Sequence, residues 1–151
     1  IQCIAVDFPQ PEGPRNTQNS PSLTSSDRFF NDTVVFKGEL PPEKVAEEFA
    51  HADVFVLFSH YETAGVVLAE SLAAGCPIVS TRVGIAPQVV NEQTGLLVDD
   101  DDITQLTQAL QHILTHSDSY HSAFLRSLAQ PYSQAEVGEL LYNCYRNISI
   151  R

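Results

Sequence analysis

Two short apolar runs, at residues 53–58 and 76–81, enclose a segment with helical spacing, and no other feature constrains the fold as strongly. The runs read DVFVLF and CPIVST, the uninterrupted pattern of parallel strands that are covered on both faces. Apolar residues at i, i+3 and i+4 between them predict a helix from about Ala64 to Gly75, where glycine suits a left-handed cap. A strand, a helix and a strand of these lengths form a right-handed βαβ unit, which predicts an α/β fold.

The rest of the chain extends this alternation. Further strands are predicted at residues 1–6, 33–36 and 95–98, and further helices at residues 43–51, 103–114, 120–128 and 134–145. The last helix has an apolar stripe, which predicts that it packs into the core: Val137, Leu140, Leu141, Cys144 and Tyr145. We therefore expect residues 1–151 to form one Rossmann-like domain, a parallel sheet with helices on both faces.

Composition and charge exclude several classes of function. The net charge of -11 argues against binding nucleic acid or anionic lipid through a basic surface. No run is long enough to span a bilayer, so a soluble globular protein is expected. The three cysteines are odd in number and far apart, which favours a reducing, cytoplasmic location.

Two glutamates lie at the end of the βαβ unit where open parallel sheets bind ligands. Glu62 is in the loop after the first strand and Glu70 is in the second helical turn. The backbone amides of Gly65, Val66 and Val67 open the helix without intrahelical acceptors, so they suit an anion such as a diphosphate. Glu70 offers two acceptor oxygens for ribose hydroxyls, and Glu62 could accept from hydroxyls of a sugar ring. Together these groups could bind a nucleotide diphosphate sugar.

Several motifs, in the same order, resemble the donor-binding domain of the group 1 glycosyl transferases. They lie at residues 35–38, 52–59, 62–70, 73–79, 83–84, 87 with 89–90, and 95–98, and include the hallmark of two glutamates with seven residues between them. The family commonly has a glycine and a glutamate where Ile85 and Gln88 stand here. The resemblance implies the C-terminal half of a GT-B fold and a retaining, metal-independent enzyme that needs no cofactor. It also implies that Glu62 is catalytic and that Gly38 lies near the nucleotide base.

The same resemblance implies parts that this chain lacks. In the family, an arginine and a lysine in the first strand and loop of the domain stabilise the diphosphate, and that segment would precede Ile1. An acceptor-binding domain is expected either in the same polypeptide or in a partner chain. The acceptor is unknown, peripheral membrane association of the full protein is left open, and the chain alone is expected to be inactive.

Some residues and the function itself allow a second interpretation. His60 could donate to a phosphate or sugar oxygen, or be a solvated loop residue. The acidic run Asp99–Asp102 fits a helix N-cap better than a metal site, so no metal is predicted. Two other functions stay open: a non-catalytic nucleotide-sugar-binding subunit, and a GT-B sugar epimerase.

Overall fold

A four-stranded parallel sheet forms the centre of the domain. The computed structural model describes residues 3–5, 35 and 37–148. The strands, in both chain and spatial order, are β1 (Cys3–Ala5), β2 (Val54–Leu57), β3 (Ile78–Thr81) and β4 (Gly95–Val98). Phe55 is opposite Ile78, and Ile78 is opposite Gly95, so the carboxyl ends of β2, β3 and β4 share one edge.

Helices follow each of the three C-terminal strands. The α-helices are α1 (Pro42–His51), α2 (Val66–Ala74), α3 (Ala86–Val89), α4 (Ile103–Thr115), α5 (Ser122–Leu128) and α6 (Gln134–Ile148). Short 3₁₀ turns lie at Ser117–Ser119 and Gln130–Tyr132. None of the helices in the described ranges is both long and apolar enough to cross a membrane.

The central strands of the sheet are buried beneath the helices. All four residues of β2 and all four of β3 are buried, as expected of strands with both faces covered. Helix α2 packs against α1 and α5, while α4 lies across β2, β3 and β4. The Phe49 ring of α1 meets the Phe55 ring of β2 edge to face, with 5.1 Å between their centroids. The predicted α/β class with a parallel sheet is confirmed.

The acidic run before α4 is a helix cap, as predicted. A side-chain oxygen of Asp102 accepts a hydrogen bond of 2.8 Å from the Gln105 amide. The Gln105 side chain in turn donates to Asp99 and accepts from its backbone amide. These contacts satisfy first-turn groups that would otherwise lack partners.

Helix α6 is present as predicted, but the prediction that it packs into the core was wrong. No residue of this helix is buried, and Leu140 is 65% exposed. The stripe exists in the sequence, but among the described residues the main neighbour of α6 is the short turn Gln130–Tyr132. The predicted strand at residues 33–36 falls largely outside the described residues, and the described Val35 is exposed with no strand pairing.

Candidate functional site

Three loops meet at the carboxyl edge of the sheet. The Nε2 atom of His60, after β2, lies 3.3 Å from Oδ1 of Asp101, after β4. The Nε atom of Arg82, after β3, lies 3.7 Å from Oδ1 of Asp99. All four side chains are exposed, so these are surface contacts of small energy. They show that the loops following β2, β3 and β4 are neighbours, as parallel strands require.

Helix α2 begins with amides that have no acceptor. Gly65 is the N-cap in the left-handed region (φ 69°), so the helix starts at Val66, slightly later than the predicted Ala64. The first hydrogen bond of this turn runs from the Leu68 amide to the Gly65 carbonyl, at 2.9 Å. Within the part of the chain that the structure describes, the amides of Gly65, Val66 and Val67 donate to nothing. This agrees with their predicted availability to an anion; whether they bind one stays a prediction.

Glu70 lies on the exposed stripe of α2. The exposed residues of this helix are Val66, Glu70 and Ala73, at the spacing i, i+4 and i+7. The rest of the helix is mostly buried against the sheet and its neighbouring helices. The Glu70 carboxylate forms no hydrogen bond or ion pair with a described residue. The exposed stripe places Glu70 one turn after the helix start, on the same side of α2 as Val66.

Glu62 is half-buried and lies against the turn after β3. A Cβ atom added to Gly84 would come within 3.3 Å of the Glu62 Cβ, so the two backbones are close. The Glu62 carboxylate has no hydrogen-bonding partner in residues 37–148. The structure thus brings Glu62, the α2 start and the β3–α3 turn together at one edge.

Three hydrogen bonds that the sequence did not predict hold the two ends of the loop of residues 58–65. The Thr81 hydroxyl donates to the Ser59 carbonyl at 2.5 Å and accepts from the Ser59 amide at 3.2 Å. At the other end, the Ile85 amide donates to the Ala64 carbonyl at 3.0 Å. The available signal was a threonine at the carboxyl end of a strand whose earlier residues are mainly apolar.

The remaining predicted residues are more peripheral. Gly38 is exposed with φ 64°, and no described atom outside residues 37–39 lies within 4 Å of where its Cβ would be. Its neighbour Lys37 forms an ion pair with Glu48 on α1. His60 has Asp101 as a contact, which fits either of its two interpretations. The roles of Gly38 and His60 stay predictions.

Comparison with known proteins assigns the family. Residues 13–124 match the family model for glycosyl transferases group 1. The D-inositol 3-phosphate glycosyltransferase of Acidothermus cellulolyticus is 34% identical over 106 residues, which cover 69% of this chain and 24% of that protein. The N-acetyl-alpha-D-glucosaminyl L-malate synthase of Bacillus anthracis is 33% identical over 106 residues, covering 70% of this chain and 27% of that protein.

A solved structure supports the same assignment. Sucrose-phosphate synthase from Thermosynechococcus elongatus superposes with a TM-score of 0.77 at 29% identity, over 83% of this chain and 32% of that one. The chain thus spans only a quarter to a third of the length of these relatives. The family model nevertheless matches well over half of the 151 residues. The chain belongs to the group 1 glycosyl transferases.

Proposed function

We propose that this chain is the donor-binding part of a retaining, metal-independent glycosyltransferase that transfers a sugar from a nucleotide diphosphate sugar to an acceptor. The observation that carries the proposal is the carboxyl edge of the sheet. In the sequence, the open amides of α2 lie between Glu62 and Glu70, whose carboxylates have no partner among the described residues. Family membership supports the reaction class.

The start of α2 would bind the diphosphate. The amides of Gly65, Val66 and Val67 have no acceptor in the described structure, and the helix dipole places partial positive charge at this end. When the bond from the sugar to the diphosphate breaks, negative charge grows on the leaving group. Hydrogen-bond donors that already point toward that charge stabilise the transition state more than the ground state.

Glu70 would bind the ribose. It lies four residues after Val66 on the same exposed stripe, about 6 Å along the helix axis. That is close to the separation between a diphosphate and the hydroxyls of the attached ribose. Its two carboxylate oxygens can accept from both vicinal hydroxyls, and no described group competes for them.

Glu62 would act on the donor sugar and is the proposed catalytic residue. The Glu62 residue is half-buried with its Cβ beside the Gly84 turn, and its carboxylate can accept from sugar hydroxyls. Cleavage at the anomeric carbon develops positive charge there, which a nearby carboxylate stabilises. Gly38 and His60 would complete the site near the base and the phosphates.

The complete enzyme would need more than this chain. Two described cations near the site already contact carboxylates: Arg82 is exposed beside Asp99, and Lys37 pairs with Glu48. We therefore propose that the diphosphate also meets cations outside the described residues, and that an acceptor-binding domain lies in cis or in a partner chain. The isolated 151 residues are expected not to turn over donor. Neither Cys76 nor Cys144 forms a disulfide with a described residue, which fits the proposed cytoplasmic location.

A transfer assay with the full-length protein tests this function. The purified protein is incubated with a panel of nucleotide sugars and candidate acceptors, and the anomeric configuration of the product is read by NMR. Glu62→Ala is expected to lower kcat by about 10²- to 10³-fold, because it removes a group that stabilises transition-state charge. Glu92→Ala is the matched control, since Glu92 is an exposed loop glutamate at the opposite edge of the sheet.

The outcomes separate the candidate functions. A product of inverted configuration, or full activity of Glu62→Ala, would contradict the proposal. Interconversion of the sugar on its nucleotide would favour the epimerase. Nucleotide-sugar binding that gives transfer only after addition of a second chain would favour the separate-subunit arrangement.

A further inference from the structure

We infer that residues 81–85, which we call the supporting segment, position the loop of residues 58–65, and that Thr81 and Gly84 are positioning residues for donor binding. The supporting segment joins β3 to α3 and reaches the loop at both of its ends. The inference rests on the proposed function, because it assigns the loop a ligand to bind.

Thr81 secures the beginning of the loop. Strand β2 ends at Leu57, so Ser59 lies beyond the last pair of the β2–β3 ladder. The Thr81 hydroxyl replaces the missing ladder contacts by donating to the Ser59 carbonyl and accepting from the Ser59 amide. The Thr81 residue is only 1% exposed, so water cannot easily take over these bonds.

Gly84 secures the end of the loop. The next residue, Ile85, donates its amide to the Ala64 carbonyl, and Ala64 directly precedes the Gly65 cap of α2. Gly84 has φ 50°, and a Cβ there would lie 2.6 Å from the Ala64 oxygen. Only glycine allows this close approach. The β3–α3 turn therefore helps to fix the position of the first α2 amides.

Few other contacts hold the part of the loop between Ser59 and Ala64. Its internal bonds join the Ser59 side chain to Tyr61, and His60 meets Asp101 at the exposed surface. Glu62 has no polar partner in the described residues. The distance from Glu62 to the α2 amides is thus set mainly by the supporting segment. A change in that distance would alter the binding of a donor substrate that contacts both groups.

Thr94 provides a matched control with the same chemistry at the opposite edge. Its fully buried hydroxyl donates to the Val89 carbonyl and accepts from the Asn91 amide, each at 2.8 Å. It precedes β4, away from every proposed donor contact. Loss of this hydroxyl should destabilise the fold about as much as loss of the Thr81 hydroxyl, without moving the loop.

The test compares Thr81→Val, Thr81→Ser and Thr94→Val in the full-length protein, with KM measured separately for donor and acceptor. Thr81→Val is expected to raise the donor KM about tenfold and to leave the acceptor KM within about twofold, because buried partners lose their bonds at the loop. Thr81→Ser keeps the hydroxyl and should restore the donor KM to within about twofold of wild type. Thr94→Val should lower Tm while leaving both KM values unchanged.

Hydrogen exchange of the peptide that covers residues 58–65 provides a readout that needs no ligand. Faster exchange there in Thr81→Val but not in Thr94→Val supports the inference. Equal exchange in all variants, or equal donor KM values in Thr81→Val and Thr94→Val, overturns it. If the wild-type protein binds no nucleoside diphosphate, the proposed function is overturned, and the supporting segment then has no ligand-binding role.

Gly84→Ala should raise the donor KM, as Thr81→Val does. An unchanged donor KM in a folded Gly84→Ala variant would show that Gly84 is not a positioning residue.

Discussion

Helix α2 is apolar on nearly all sides, α6 is a polar helix with one apolar stripe, and the two have opposite environments. In α2 the buried residues include Val67, Leu68 and Leu72, and the helix is enclosed by the sheet and by α1 and α5. In α6 no residue is buried, although its apolar residues also recur at helical spacing. The difference teaches that periodicity shows which face of a helix needs cover. It does not show which part of the molecule supplies that cover.

The two helices also differ in what an exposed glutamate can do. Glu70 on α2 and Glu139 on α6 are both exposed, and neither carboxylate pairs with a described residue. Glu70 lies on a helix that begins at the carboxyl edge of the sheet, where parallel sheets bind ligands, whereas α6 follows a helix and a short turn. Position in the fold, and not exposure, distinguishes the candidate ligand-binding residue from a solvated one.

The largest expected effect breaks the packing of α2. Leu72 is 1% exposed, so Leu72→Ala should lower the free energy of unfolding by about 2–5 kcal/mol through lost burial and a residual cavity. Leu140→Ala, on α6, should change it by less than about 0.5 kcal/mol. Urea unfolding followed by circular dichroism measures both. A cost for Leu140→Ala that approaches that of Leu72→Ala would mean that α6 is packed against something in solution.

A smaller effect sharpens the comparison within one helix. In α4, Ile113 is fully buried and Ile103 is 64% exposed. Ile113→Val should cost about 0.5–1.5 kcal/mol of unfolding free energy, because it removes one buried methylene. Ile103→Val should have almost no effect, and it is an exact chemical control in the same helix. Equal costs in the same urea experiment would show that burial does not govern these helices.

Much of the fold could be predicted from local pattern. Strand β4 was predicted with its observed bounds, and α2 was predicted with its Gly75 cap, because apolar runs and glycine report the local backbone directly. The cap before α4 followed from the spacing of Asp102 and the apolar run after it. These features depend on neighbours in the sequence.

What could not be predicted depends on distant contacts. Thr81 contacts Ser59 across 22 positions of the chain, so its place at the end of a strand marks it as unusual but does not identify its partner. The exposure of α6 was missed because an apolar stripe shows which face could be buried but not whether another element packs on it. The candidate site residues Glu62 and Glu70 came from a motif, and the structure adds their unpaired state and their common edge.

Glu70→Ala and Glu139→Ala should have the smallest effects on stability, each below about 0.5 kcal/mol, because both side chains are exposed. Their effects on binding should differ. Calorimetry of the full-length protein with a nucleoside diphosphate and with its 2′,3′-dideoxy counterpart measures this directly. The account predicts that wild type and Glu139→Ala prefer the ribose form about tenfold, through hydrogen bonds to a charged acceptor, and that Glu70→Ala binds both forms alike. An undiminished ribose preference in Glu70→Ala would contradict it.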